Sequence, residues 1–271
     1  MKEADLHMHT LFSDGTFTAK QIVMEAEASG ICAISITDHD SVGAVLPSVE
    51  EAKEKNIEVL SGVELSAEYD GMEIHILGYL IDCGNKAFLE KLEFLRNVRV
   101  ERIYRITEKL KSIGVTLDAE KVFAVSGLGT VGRLHVARAM VKEGIAASIY
   151  EAFAKYIGDK GPAYVANFRL TPEEAIKIIK EANGIPVLAH PYCLNRDDLI
   201  PMFVDFGLMG LEVYYPEHTQ SMINYYLGIA KNFGLLVTGG SDFHGDVKPD
   251  VKMGAVRVPY ELVERLKQAQ K

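Results

Sequence analysis

The sequence has few cysteines and no long apolar run. Its three cysteines lie far apart and form no C-x-x-C pair, which argues against a thiolate zinc site and favours a reducing compartment. The opening residues MKEADLHMH contain no apolar signal region, and we find no run of about 18 apolar residues. We therefore expect a cytoplasmic protein without a membrane partner.

Basic residues are too few for a surface that coats nucleic acid. The 29 lysines and arginines stand against 38 acidic residues, which gives a net charge of -9. We therefore expect no stable binding of duplex nucleic acid. A small anionic substrate is still compatible with this balance, because bound metal ions reverse the local field.

Short apolar runs alternate with helical patterns along much of the chain. The length and the 48% hydrophobic content fit one barrel-sized domain with a small insertion. Alternating strands and helices predict parallel β/α units, and barrel active sites lie at the carboxyl ends of the strands. The seven apolar runs, each ending in polar residues, are EADLHMHT, ICAISITDHD, IEVLSGVELS, MEIHILGYL, IPVLAHPY, GLMGLEVYYPEHT and GLLVTGGSDFHG.

The helical patterns are clearest in two places. One helix has Thr171 as its N-cap, Pro172 at its first position, Glu174 at capping-box spacing and Gly184 as its stop. The middle of the chain is mostly helical and begins with a long helix predicted at 87–113. We therefore predict a barrel formed by residues 1–85 and 170–271, and a helical insertion at 86–169 that caps the substrate over the barrel mouth.

Histidine, a scarce residue, gathers at the predicted strand ends. His7 and His9 are two apart, so an extended strand points both imidazoles to one face. A single histidine of this kind is equally well explained as a hydrogen-bonded residue near the core. Nine candidate ligands at one rim are too many for one ion, so the sequence predicts two or three divalent ions of manganese, zinc or iron. The nine are His7, His9, Asp14, His39, Glu64, His75, His190, Asp242 and His244.

Six motifs in order carry a family resemblance. DLHMHTLFSDG, ITDHDSV, SGVELSAEY, HILGY, AHP and SDFHG resemble the PHP (polymerase and histidinol phosphatase) superfamily over nearly the whole chain. This implies a distorted seven-stranded (β/α)7 barrel, TIM-like, with a trinuclear metal centre. Asp14 stands where some members have histidine. The implied ligand sets are His7, His9, Glu64 and Asp242 for the first ion, Glu64, His75 and His190 for the second, and Asp14, His39 and His244 for the third.

Two further segments resemble one PHP subgroup. GTVGRLHVARAM and EVYYPEHT are similar to members that carry a helical insertion and act on nucleotide phosphates. The resemblance implies hydrolysis of nucleoside 5'-monophosphates or 3',5'-bisphosphates, or 5'-to-3' trimming of short RNA. It also implies that Arg133 and His135 hold the substrate and that His218 lies near the phosphate. Arg196 is a further candidate, because a guanidinium offers two donors to phosphate, although both arginines are also explained as solvated side chains.

Direct hydrolysis by metal-activated water is the predicted reaction, with Glu64, Asp242 and His218 as the catalytic residues. The sequence contains no G-x-S-x-G elbow and no P-loop. Two other classes stay open. One is a metal-dependent amidohydrolase, whose sites often use a carboxylated lysine that we do not find at a strand end. The other is a noncatalytic metal-binding module of a polymerase assembly, for which the chain has no polymerase-like extension.

Three aspartates adjoin the predicted ligands and have two possible roles. Asp5, Asp38 and Asp40 each lie within two residues of a ligand histidine. A carboxylate in such a position either accepts a hydrogen bond from the imidazole and orients it, or caps a loop or helix start. The sequence leaves both roles open.

Overall fold

The chain divides into two compact units. In the computed structural model, which describes residues 2–127, 129–166 and 170–270, one unit comprises Met1–Leu89 with Arg169–Lys271 and the other comprises Glu90–Phe168. The predicted boundaries are residues 86 and 169, and residue 169 lies outside the described residues. The role of the inserted unit as a cap stays a prediction.

Within the described residues, the first unit is built on one sheet of eight strands in the order β7-β6-β5-β4-β3-β2-β1-β8. Seven strands correspond to the seven predicted runs, and a short strand near the end of the chain is additional. The α/β class with a barrel-like sheet is therefore confirmed, while the count of seven is not. The strands are β1 (Glu3–Asp5), β2 (Ala33–Ile36), β3 (Glu58–Tyr69), β4 (Met72–Tyr79), β5 (Ile185–Leu188), β6 (Gly210–Tyr214), β7 (Leu236–Gly239) and β8 (Val258–Pro259).

The two sides of the sheet meet and nearly close the barrel. Leu6 N donates to Gly239 O at 3.2 Å, and His9 N donates to Phe243 O at 2.8 Å. Gly240 is required at this junction, because a Cβ there would lie 2.3 Å from the backbone nitrogen of His7. Closure therefore places the segment after β1 directly beside the segment after β7.

Strand β4 runs opposite to both of its neighbours, which corrects the prediction of parallel β/α units throughout. It pairs antiparallel with β3 and β5, whereas β1–β2, β2–β3, β5–β6 and β6–β7 are parallel. A two-residue hairpin joins β3 to β4 through Asp70 and Gly71, whose φ values are 52° and 76°. Two left-handed residues in a row match the twist of paired strands, and Asp-Gly is a strong signal for such a turn.

Helices connect most of the strands. The first helical position of α7 is Pro172, and the Thr171 side chain accepts from Glu174 N while the Glu174 side chain accepts from Thr171 N. The helix ends at Glu181, before the predicted stop at Gly184. The helices are α1 (Ala19–Ala28), α2 (Val45–Ala52), α3 (Lys86–Ser112), α4 (Ala119–Ser126), α5 (Arg133–Lys142), α6 (Ile149–Ala152), α7 (Pro172–Glu181), α8 (Pro191–Leu194), α9 (Ile200–Asp205), α10 (Gln220–Phe233) and α11 (Tyr260–Ala269).

The second unit is helical and has its own apolar core. Helix α3 covers Lys86–Ser112, within one residue of the predicted bounds. No helix in the described part of the chain is both long and apolar enough to cross a bilayer. The buried core includes Ile103, Ile106, Leu110, Val122, Val131, Val136, Met140 and Ile157.

Candidate metal centre

All nine predicted ligands lie together at one end of the sheet of the first unit. Five of them are buried, and Asp14, His39, His75 and His190 are partly exposed, so the centre is open on their side. Because β4 is reversed, His75 comes from the first half of its strand and still reaches the shared rim. The ligands follow β1 (His7, His9, Asp14), β2 (His39), β5 (His190) and β7 (Asp242, His244), or lie on β3 (Glu64) and β4 (His75).

Glu64 occupies the middle of the cluster. Its side chain is 1% exposed, so its negative charge is removed from water and needs positive partners nearby. Both carboxylate oxygens face imidazoles, which is the arrangement that a carboxylate bridging two cations requires. The ring nitrogens near Oε2 are His7 Nε2 at 3.3 Å, His9 Nε2 at 3.1 Å and His39 Nδ1 at 3.3 Å, and those near Oε1 are His75 Nδ1 at 2.8 Å and His190 Nε2 at 3.2 Å.

Five distances among four donor atoms match those of a tetrahedral metal site. His7 Nε2 and His9 Nε2 lie 3.3 Å apart. Each lies between 3.1 and 3.4 Å from Glu64 Oε2 and Asp242 Oδ1. Metal–ligand distances of about 2.0–2.1 Å give a tetrahedron with edges of about 3.3–3.4 Å. The residues present therefore fit a first-row divalent ion.

Two other groups of donor atoms overlap this one. Within the described residues, His9, Asp14, His39 and His244 offer ligand atoms within 4.8 Å of one another, as do His39, Glu64 and His75. The first group contains the whole implied third set. The second group differs from the implied second set in one residue. It contains His39, whereas the resemblance implies His190. Shared histidines mean that the division of ligands among ions stays a proposal.

Glu212 on β6 is a functional residue that the sequence analysis missed. It is fully buried, and its Oε1 lies 2.9 Å from His7 Nδ1 while its Oε2 accepts from His190 N at 2.7 Å. A carboxylate on the far nitrogen of a ligand imidazole fixes the ring and raises its basicity. An acidic residue inside the apolar run GLEVYY was the available signal.

The three aspartates beside the ligands bind backbone groups. These contacts fit the loop-capping role that the sequence allowed, and they tie the ligand-bearing segments to one another. Asp38 also accepts from the hydroxyls of Thr10 and Ser13, each at 2.6 Å. It reaches His9 indirectly, because the Ser13 hydroxyl that donates to it lies 3.3 Å from His9 Nδ1. The backbone donors are Ser241 N at 2.8 Å for Asp5, Thr10 N at 2.7 Å for Asp38 and Ser66 N at 3.2 Å for Asp40.

Asp242 is held from its outer side by two donors. Tyr215 OH donates to Oδ2 at 2.9 Å, and Lys248 Nζ donates to the same oxygen at 2.6 Å. Its Oδ1 is left to face the histidine cluster. Lys248 lies beyond the 3-10 turn Gly245–Val247 in the loop after β7. A lysine therefore does reach this centre, although the sequence analysis found none at a strand end.

A family model described as the PHP domain matches residues 5–163. The chain belongs to the PHP domain family. The resemblance carried by the six motifs is thereby confirmed, and the rim of the barrel-like sheet is the place where the motifs meet.

Relatives and solved structures extend over most of this PHP chain. It is 32% identical over 250 residues to a 5'-3' exoribonuclease from Haemophilus influenzae, covering 90% of each protein. It is 30% identical over 251 residues to a 3',5'-nucleoside bisphosphate phosphatase from Chromobacterium violaceum, covering 90% of this chain and 88% of the relative.

The solved structures show the same fold. A protein from Bifidobacterium adolescentis, assigned as a metal-dependent phosphoesterase, has a TM-score of 0.88 and 30% identity over 97% of this chain and 94% of its own. A Chromobacterium violaceum protein described as an amidohydrolase with bound sulfate has a TM-score of 0.86 and 27% identity, covering 98% and 96%.

Charges within the PHP cluster strongly shift one another's pKa values. Burial lowers the pKa of His75, but the charge and hydrogen bond of Glu64 raise it to about 9. The pKa of His9 also rises to about 9 against burial. Contacts with Cys193 and Glu64 outweigh burial and raise the pKa of His190 to about 10. In the metal-free protein these imidazoles therefore carry protons at neutral pH.

His218 lies one tyrosine ring away from the cluster. Its Nδ1 is 2.7 Å from Val213 O, and its buried Nε2 has no hydrogen-bond partner among the residues that the structure describes. The Tyr215 ring lies 5.5 Å from the His218 ring and 5.4 Å from the His190 ring. A buried nitrogen without a partner costs free energy, so it is suited to meet a ligand atom.

The other predicted substrate residues contact protein groups. Arg196, in the first unit, binds Asp198 through two bonds of 2.8 and 2.9 Å. Arg133 and His135 lie on α5 of the second unit, where Arg133 Nη1 donates to Asp159 at 2.5 Å. His135 Nδ1 accepts from the backbone N–H of the N-cap residue at 3.1 Å. Their roles toward a substrate stay proposals.

Proposed function

We propose that this PHP protein is a metal-dependent phosphoesterase that hydrolyses nucleotide phosphate esters. The substrates are nucleoside 5'-monophosphates, 3',5'-bisphosphates or the 5' end of a short RNA. The observation that carries the proposal is the buried Glu64 carboxylate with five ring nitrogens within 3.3 Å. The relatives, which are named as a bisphosphate phosphatase and as exoribonucleases, support the substrate class.

We assign the nine residues as ligands of two or three divalent ions, manganese, zinc or iron. Imidazole and carboxylate donors suit these metals. When bound, such ions lower the pKa of water, orient the substrate and neutralise charge on phosphoryl oxygens. In this assignment Glu64 would be shared between two ions, because both of its oxygens face imidazoles, and Asp242 would hold one of them.

Side chains around the ligands maintain the geometry that the reaction needs. Glu212 orients His7 through the hydrogen bond to Nδ1. Burial and the charge of Asp242 raise the pKa of Tyr215, so its hydroxyl stays protonated and keeps donating to Asp242. We assign to His218 Nε2 a hydrogen bond to the phosphate or to the departing oxygen.

The nucleoside part of the substrate has an apolar surface available in the first unit. A cavity of about 250 Å³ adjoins His75 and His190, and its other walls are Glu73, Ile74, Leu188, Ala189, Cys193 and Leu194. Arg196 is exposed, and an exposed ion pair contributes little stability, so a phosphate can replace Asp198. Arg133 and His135 are the candidates from the inserted unit. The cytoplasmic location is likewise part of the proposal.

Hydrolysis of a nucleotide panel with added Mn²⁺ tests the proposal. We expect phosphate release that thorough chelation abolishes and Mn²⁺ restores. In heavy-oxygen water, one labelled oxygen enters the released phosphate, while label in the nucleoside contradicts attack at phosphorus. Glu64→Gln serves as the inactive variant, and Lys252→Met, on an exposed loop residue, serves as its active control.

The amidohydrolase class is the second candidate, because one solved neighbour is described by that name. The same neighbour holds sulfate, which resembles phosphate in shape and charge. Turnover of amides by the metal-loaded protein, with no phosphoester cleaved, would favour this class. Full metal occupancy with no turnover of phosphoesters or amides would favour a noncatalytic module. Against that reading, the chain covers 90% of a relative named as an exoribonuclease.

A further inference from the structure

Lys248 places a positive charge beside the metal centre. Its ammonium contacts Asp242 Oδ2 at 2.6 Å, and its side chain is 40% exposed. Asp242 is one of the residues that we assign as metal ligands, so a partly exposed cation lies in direct contact with the proposed centre.

Asp242 has a second partner that holds its orientation without Lys248. The Tyr215 hydroxyl donates to the same Oδ2 at 2.9 Å, and the Tyr215 ring is buried against His190 and His218. A fixed aromatic side chain braces a carboxylate better than a flexible four-carbon chain on an open loop. The contact of Lys248 with Asp242 is therefore separable from the structure of the centre.

The charge balance around Lys248 changes when cations bind. Asp242 is one of the proposed ligands, so a divalent ion held by it would neutralise much of its negative charge. The attraction between the Lys248 ammonium and Asp242 would then weaken. A half-exposed lysine then finds its best partner in an arriving anion.

We propose that Lys248 is a phosphoryl-binding residue, which leaves Asp242 when metal ions are bound and donates to a non-bridging oxygen of the substrate phosphate. Lysine is a frequent point-charge donor to phosphate. The inference rests on the proposed function, because a phosphate must occupy the metal centre. Lys248 lies outside the six family motifs, so the sequence alone assigned it no role.

Binding of inorganic phosphate to the Mn²⁺-loaded protein tests the inference directly. We expect Lys248→Met to raise the dissociation constant of phosphate about 10- to 100-fold, which corresponds to the loss of one charged hydrogen bond. Lys248→Arg recovers part of the affinity, because a guanidinium also donates to phosphate. Lys252→Met, which removes an exposed charge from the same loop, leaves phosphate binding unchanged.

Three results would overturn the inference. The first is phosphate affinity in Lys248→Met equal to that of the wild type, and the second is a metal-loaded wild type that binds no phosphate. The third is loss of bound Mn²⁺ from Lys248→Met, which would make Lys248 a brace for Asp242. If the wild type cleaves no nucleotide while Lys248→Met still weakens phosphate binding, the proposed function fails and the phosphate contact stands.

Discussion

Loading metal ions into the metal-free protein should release protons. The pKa values of His9 and His75 are raised to about 9, and that of His190 to about 10, by carboxylates and neighbours that outweigh burial. At about pH 7.5 all three therefore carry a proton on a nitrogen that a metal needs unprotonated. Complete loading is expected to release about three protons from these three residues. Against the effect of burial, the charges of Glu212 and Glu64 also raise the pKa of His7 well above its ordinary value, so His7 adds one more proton to the expected count.

Calorimetric titration at about pH 7.5, in buffers with different heats of ionisation, counts the protons. Because these pKa values are raised, protons are bound below about pH 9 and lost above it, so the apparent metal affinity rises with pH and levels off past about pH 10. Thr171→Ala, which changes only the N-cap of α7 and no proposed ligand, keeps the wild-type count. A count below one proton at full occupancy refutes the assignment of these histidines as ligands.

Three other perturbations separate the roles of single residues. Glu212 accepts from both His7 Nδ1 and His190 N, and Glu212→Gln leaves one acceptor oxygen for these two donors. Metal affinity, measured by competition with a chelator, should therefore fall about 10- to 100-fold. His218→Ala removes the buried Nε2, and kcat/KM should fall about tenfold while metal content, measured by elemental analysis, is unchanged. Thr171→Ala removes the hydroxyl that accepts from Glu174 N, which should cost about 1 kcal/mol in urea denaturation with activity retained.

The clustering of the nine residues could be predicted because its signals are local. His7 and His9 share a strand face by simple alternation, and their neighbours in the set follow other short apolar runs. The carboxyl ends of parallel strands meet at one edge, so residue type and position were enough to gather the residues that follow β1, β2, β5 and β7. The capping box at Thr171 was predictable for the same reason, since all of its atoms lie within one turn.

The residues that support the ligands could not be predicted in this way. Glu212 meets His7 across 205 positions of sequence, and Asp5 meets Ser241 across 236. Such contacts depend on the order of strands and on the closure of the barrel through Gly240, which no local pattern specifies. Lys248 was overlooked for a related reason, because it reaches the rim through a loop and not from a strand end.

The reversal of β4 explains how His75 joins the cluster although its strand is not parallel to its neighbours. His75 lies in the first half of β4, and in an all-parallel barrel that half would point to the opposite rim. The antiparallel ladder pairs Ser66 with His75, and paired residues share a face of the sheet. Glu64, two positions before Ser66, lies on the same face, and its Oε1 contacts His75 Nδ1 at 2.8 Å. The Asp70–Gly71 hairpin, through its two left-handed residues, therefore fixes the position of a proposed metal ligand as well as the direction of a strand.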